Sequence, residues 1–328
     1  MEFVSSGKWI LAGEHSVLRG SRALVFPLPA MQTKLIYSEG TTDLSAQFFG
    51  LHGEDYQLLF YGLVDRALEI LGRPRKDLMG SVKLKSNLPL GNGLGASAAL
   101  CVVVGQWLSE LGWVDPSKLE SFCRELENLF HGESSGVDVA VVLSRRPLIF
   151  SRYASSTVLN IGWKPHFYLS PTGQKGLTHA CVQKVKEFLL SNPNEGKKID
   201  YEMSQSVESM ARILIKSPGE WGDSRLELIE QLKCAINQAR ACFESWGLTE
   251  GSLDREMKRL MDLGALAVKP TGSGAGGYVL SLWLDEPPDH MILKNKDENS
   301  GLLGEKNGNL NQSLNPSTNL NQCLIPCW

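Results

Sequence analysis

The sequence predicts two domains that each mix helix with strand, and three observations carry that prediction. At 328 residues the chain is long enough for two hydrophobic cores. Its first half alternates strand-like and helical runs around a glycine-rich loop. Its second half is mostly helical, then closes on two short apolar strands around another glycine-rich loop. We place the boundary near residue 165, giving domains over 1–165 and 166–290 and a separate tail over 291–328.

Each element has its own signal. Residues 81–86, SVKLKS, alternate Val82 and Leu84 with Lys83 and Lys85, as a half-wet strand does. Tyr56 to Leu71 has helical spacing and stops at Gly72, with Pro74 beyond. The small and apolar stretch Ser97–Leu111 reads as a buried helix. After Asp115-Pro116, the pattern Ser117-x-x-Glu120 predicts a capping box opening a further helix. Thr178–Leu190, Ser224–Trp246 and Thr249–Leu263 each repeat apolar residues three or four apart, the last two ending at Gly247 and Gly264. AVK and YVLSLW read as strands. The tail holds eight asparagines and two copies of NLNQ, keeps no period, and is expected to be disordered.

Composition narrows the function. A formal charge of −3 gives no basic footprint and argues against nucleic acid as a partner. The longest strongly apolar run, Ala98–Val104, is too short for a bilayer, and MEFVSSGKWIL has no signal-peptide pattern, so a cytoplasmic protein without membrane binding is expected. Seven scattered cysteines with no C-x-x-C pair read as reduced, mostly buried thiols.

Four segments carry candidate chemistry. Pro89-Leu90-Gly91-Asn92-Gly93-Leu94-Gly95-Ala96-Ser97-Ala98 lies between a predicted strand and a predicted helix. Glycines let backbone N–H groups approach a ligand, and a helix N-terminus favours phosphate. The segment is neither a Walker A loop nor a dinucleotide fingerprint, and on its residues alone it is a phosphate loop or a plain tight turn. Gly7-Lys8, an apolar run, then Gly13-Glu14-His15 can gather three polar heads at one sheet end, or be a surface lysine and a turn. Lys269-Pro-Thr271-Gly272-Ser-Gly274-Ala-Gly276-Gly277 is a strand–loop–strand that is equally a flexible hairpin. In Glu127-x-x-x-His131-Gly-x-x-Ser135-Gly136-Val-Asp138, a helical pair precedes a turn that can return a carboxylate to the same region.

In this order, the four segments resemble the GHMP kinase superfamily over roughly residues 5 to 285, and within it the mevalonate kinase family. Gly-Glu-His followed by Ser-Val-Leu-Arg-Gly, His-Gly-x-x-Ser-Gly-Val-Asp, and Thr172-Gly-Gln-Lys-Gly-Leu-Thr178 carry the narrower likeness. The resemblance implies an α+β, two-domain fold: an α/β domain of ribosomal-protein-S5 type with a left-handed crossover, and a ferredoxin-like domain. It implies ATP and Mg²⁺ as cofactors and mevalonate as substrate, and leaves a homodimer open. By the same resemblance Asp138 is the base and Lys8 stands beside it. Residues Pro89 and Gly91 to Ala98 cradle phosphates, and Ser97 and Glu127 hold Mg²⁺. Glu14, His15 and Thr178 line the substrate pocket, and Thr271, Gly272, Gly274 and Gly276 form the third motif. The chain departs from the pattern at Ala96, at Glu133-Ser134, at His179 and in the tail. Another kinase of the superfamily, galactokinase-like or acting on phosphomevalonate, and a non-catalytic ATP-binding member are the alternatives.

Overall fold

The computed structural model describes residues 1–50, 53–131, 136–176, 178–219, 224–293 and 323–328. The expected mixture of helix and strand is present as two sheets. The first has the order β3-β4-β2-β5-β6, with β1 paired to β2. It is built from β1 (Glu2–Ala12), β2 (Arg22–Asp43), β3 (Ser45–Phe49), β4 (Met79–Ser86), β5 (Leu148–Ser151) and β6 (Thr157–Val158). β3 and β4 pair in parallel, so α1 (Gly53–Leu71) is a crossover, while the other pairs are antiparallel. Lys8 lies inside β1, which begins well before the apolar run that follows the lysine.

Helix α2 (Ala96–Glu110) is the centre of this half. Its small and apolar residues are buried all round, Leu100 and Trp107 against α1 and β4, Ala98 and Val102 against β1 and β5. Helices α3 (Leu119–His131) and α4 (Val137–Ser144) pack beside it. The start near α3 differs from expectation: the Asp115 carboxylate accepts from Ser117 N at 2.8 Å, so Asp115 and not Ser117 caps the turn. A carboxylate already aimed at the Ser117 N–H, with Pro116 at the first helical position, outcompetes the Ser117 box.

The second sheet has the order β10-β7-β9-β8, all antiparallel, from β7 (His166–Pro171), β8 (Ala267–Thr271), β9 (Tyr278–Trp283) and β10 (Ile325–Pro326). Numbered along the chain, this is the 4-1-3-2 order of a ferredoxin-like sheet. Helices α5 (Thr178–Ser191), α6 (Pro193–Ile215), α7 (Arg225–Ser245) and α8 (Ser252–Asp262) lie between β7 and β8. Helix α6 went unread in the sequence, although Ile199, Met203, Val207, Met210 and Leu214 mark its buried face. The capping box falls instead at Ser224 and Glu227, where both reciprocal bonds form.

The expectation of a wholly disordered tail is corrected for its last residues. Ile325 and Pro326 pair with Leu169 and Tyr168, and Leu324 bridges Ile292. Leu324, Ile325 and Cys327 are buried, and Trp328 sits among Trp9, Phe26 and Phe167 with its indole N–H donating to Pro165 O at 2.6 Å. The edge of β7 otherwise leaves a row of unpaired backbone groups, and an apolar hexapeptide satisfies them. Residues 294–322, with both NLNQ copies, and residues 132–135, with Glu133-Ser134, lie outside the described residues. Leu324→Ala is therefore expected to destabilise the protein by about 2–3 kcal/mol. A melting curve unchanged by that substitution would show that the segment does not pack.

Candidate active site

The glycine loop meets β1 at Lys8. Lys8 N donates to Leu94 O at 2.9 Å, which fixes the loop on the strand. A methyl group at Gly95 would lie 2.7 Å from Lys8 Cγ, and Gly95 has φ +77°, so only glycine lets the lysine stem pass this close to the start of α2. Lys8 Nζ then reaches Asp138 Oδ1 at 2.9 Å, with side chains 5% and 21% exposed. Asp138 is in the first turn of α4, behind Gly136 at φ +80°. One strand, one loop and one helix start thus place a lysine and a carboxylate together.

Glu127 is buried on α3, where a helical glutamate is ordinarily solvated. Burial pushes the pKa of the Cys101 thiol on α2 up, and the Glu127 charge adds to that rise. Cys101 stands one turn beyond Ser97 on the same helix face, so Ser97 and Glu127 border the same α2–α3 seam. A hydroxyl and a carboxylate are the hard oxygen donors that Mg²⁺ prefers, and these residues fit that ion.

The third glycine loop faces the first. A Cβ at Gly272 would lie 3.9 Å from Gly93, and one at Gly277 3.1 Å from Asn92 O. Thr271 Oγ1 donates to Ile10 O at 2.9 Å and accepts from Ile10 N at 3.1 Å, tying β8 to β1. Gly274 O accepts from Cys181 Sγ, while Gly276 packs on the backbone of Gln174 and Lys175. Thr178 Oγ1 is 3.3 Å from Ser273 Oγ at the start of α5, so Thr178 does border this loop.

Glu14 and His15 are held by the same loop. Glu14, expected at the substrate pocket, turns its carboxylate inward and accepts from Lys269 Nζ at 2.6 Å, with side chains 2% and 0% exposed. Burial pushes the Glu14 pKa up and the Lys269 pKa down, and each opposes the other's shift. A buried carboxylate needs such a counter-charge. Lys269 was the part that sequence reasoning missed, although a lysine inside the apolar run AVKP was a signal of a buried partner. His15 Nε2 is 2.8 Å from Ser273 O, and its ring packs on Phe243 and Trp246. Its backbone is a γ-turn with φ +60° and ψ −50°, closed by Ser16 N donating to Glu14 O at 2.6 Å. That conformation is strained by about 1–3 kcal/mol. Beyond it, Ser16 Oγ and the Arg19 guanidinium both donate to Asp200 of α6, which holds the turn from its other side.

Burial lowers the His15 pKa to about 4, so the ring is neutral near pH 7. Between pH 6.5 and about 4 the unfolded chain binds a proton that the folded chain refuses. Stability is thus expected to fall by about 3 kcal/mol as pH drops through that window, and to level off below it. His15→Asn, whose side chain tolerates positive φ, removes this contribution. Melting temperatures of both proteins across the window check it: a wild-type curve no steeper than the variant's would refute a neutral buried His15.

Comparison with known proteins agrees with this architecture. Residues 59–146 match the family described as GHMP kinases N terminal domain. The chain is 26% identical over 289 residues to the mevalonate kinase of Archaeoglobus fulgidus, covering 88% of this chain and 94% of that relative. Among solved structures, Leishmania major mevalonate kinase in complex with R-mevalonate superposes with a TM-score of 0.70 at 21% identity, covering 87% of each chain. Streptococcus pneumoniae phosphomevalonate kinase superposes with a TM-score of 0.63 at 19% identity, covering 87% of this chain and 93% of that one. Residues 59–146 thus carry the match to a GHMP kinase N-terminal domain, and the chain, with its two-sheet α+β architecture, is an ATP-dependent small-molecule kinase similar over most of its length to mevalonate kinases.

Proposed function

We propose that the chain phosphorylates the primary hydroxyl of mevalonate with ATP, giving 5-phosphomevalonate. The observation that carries the chemistry is the Lys8–Asp138 pair, 2.9 Å apart beside the glycine loop. Phosphoryl transfer asks for positioning and charge neutralisation more than for covalent chemistry. Residues 91–98 present backbone N–H groups and the start of α2 to the nucleotide phosphates. Asp138 accepts the substrate hydroxyl proton, and Lys8 stabilises the alkoxide character that develops at that oxygen. Ser97 and Glu127 would hold Mg²⁺, which when bound offsets charge on the transferring phosphoryl group. His15, neutral and fixed by Ser273, together with Thr178, borders the alcohol side.

Mevalonate is favoured over other alcohols by the names that the full-length relatives carry and by the Gly13-Glu14-His15 and Thr172–Thr178 segments. The fold alone is shared with a phosphomevalonate kinase and with Lactococcus lactis galactokinase. An ADP-release assay with mevalonate, phosphomevalonate, galactose and homoserine tests the choice. Turnover of mevalonate above the other three is expected. Turnover of galactose or phosphomevalonate without mevalonate would overturn the substrate and keep the kinase.

A further inference from the structure

The side chains of the glycine loop itself supply no positive charge for a triphosphate. Lys8 is matched by Asp138 at 2.9 Å, so the pair adds no net positive charge. Residues 89–98 contain no basic side chain, and the start of α2 offers only a partial charge of about +0.5. The second half of the molecule brings Lys175 to this place. A methyl group at Gly91 would lie 3.9 Å from Lys175 Cδ, so the lysine stem runs along the first glycine of the loop. The Lys175 side chain is exposed, and among the described residues its ammonium makes no ion pair or hydrogen bond. Its backbone, in contrast, is fixed. Gly277 N donates to Gln174 O at 2.7 Å, Thr172 N donates to Gly277 O at 2.9 Å, and a Cβ at Gly276 would lie 2.9 Å from Lys175 O. A hydrogen-bonded turn therefore carries an exposed cation, without an ion pair among the described residues, to the rim of the phosphate loop.

We propose that Lys175 is a nucleotide-phosphate ligand, supplied across the loop from the second half of the molecule. This rests on the reading of residues 91–98 as the phosphate cradle. A lysine ammonium meets phosphate as a point charge on a flexible stem, which suits an anchor that is fixed at its base and free at its head. Calorimetric titration with Mg·AMP-PNP, without the alcohol, measures the contact directly. Lys175→Met is expected to weaken AMP-PNP binding roughly tenfold or more, and Lys175→Arg to recover most of it. The KM for ATP should rise while the KM for the alcohol and the melting temperature stay put. Unchanged AMP-PNP affinity in Lys175→Met, beside a wild type that binds, would overturn the role of Lys175 and leave the cradle standing. A rise confined to the KM of the alcohol would do the same, because the lysine would then serve the substrate's acid group. A wild type that does not bind AMP-PNP would instead remove the cradle, and the proposal with it.

Discussion

Asp138→Asn is expected to leave the protein folded and to lower kcat by roughly 10²–10⁴-fold, the usual contribution of a general base. An amide has nearly the same shape as the carboxylate but cannot take up the substrate proton at neutral pH. Its carbonyl oxygen can still accept from Lys8, which is 4% exposed and would otherwise be left with no partner for its charge. The fold should therefore lose little, and bound nucleotide should make up part of the missing counter-charge. Single-turnover measurements isolate the chemical step from product release. A single-turnover rate equal to that of the wild type would mean that some other group accepts the proton. A large loss of melting temperature would instead assign Asp138 to structure.

Lys269→Met should destabilise the protein by about 3–5 kcal/mol at pH 7, the range for breaking a buried ion pair on one side. The lysine is fully enclosed, holds Glu14 at 2.6 Å and also donates to Pro270 O at 2.5 Å. Without it, the Glu14 carboxyl, whose pKa burial already raises, escapes the penalty only by staying protonated. The sign follows: a folded-state pKa above the unfolded one makes the penalty largest at high pH and smaller as pH falls. The gap between variant and wild type should thus shrink by up to about 1.4 kcal/mol per pH unit below that raised pKa. Glu14→Gln combined with Lys269→Met should regain much of the loss, because neither charge is then stranded. Denaturant titrations at two pH values test all three statements. A Lys269→Met protein as stable as wild type at pH 7 would contradict the buried pair.

Much of the site could be read from sequence because its signals are local. The run from Pro89 to Ala98 announces itself through glycine spacing and the small residues that follow, and α2 begins at Ala96 within it. Asp138 and Glu127 were singled out within one segment, and the roles expected of them came from the resemblance of that segment to the mevalonate kinases. What stayed hidden depends on distant residues. Nothing near Glu14 reveals Lys269, because the two lie 255 positions apart. The six residues from Cys323 to Trp328 hold a strand of only two, too short for a period and preceded by an asparagine-rich stretch. Helix α6 was obscured by its polar opening, PNEGKK, even though Pro193 at its first position is a start signal.

The γ-turn at His15 also bears on the order in which the molecule can assemble. Its restraints come from Asp200, Lys269 and Ser273, between 184 and 258 positions later in the chain. A nascent chain emerging from its N-terminus makes β1 and the turn long before any of those anchors exists. Until they arrive, the strained conformation has nothing to hold it and Glu14 has no reason to be desolvated. Closing contacts of such separation is slow, since the entropy of a long loop must be lost before the contact is gained. The phosphate loop and Asp138 can form within the first half, whereas the alcohol side of the site waits for the second. A refolding experiment should therefore regain a weakened nucleotide binding, without the Lys175 contribution, before it regains turnover.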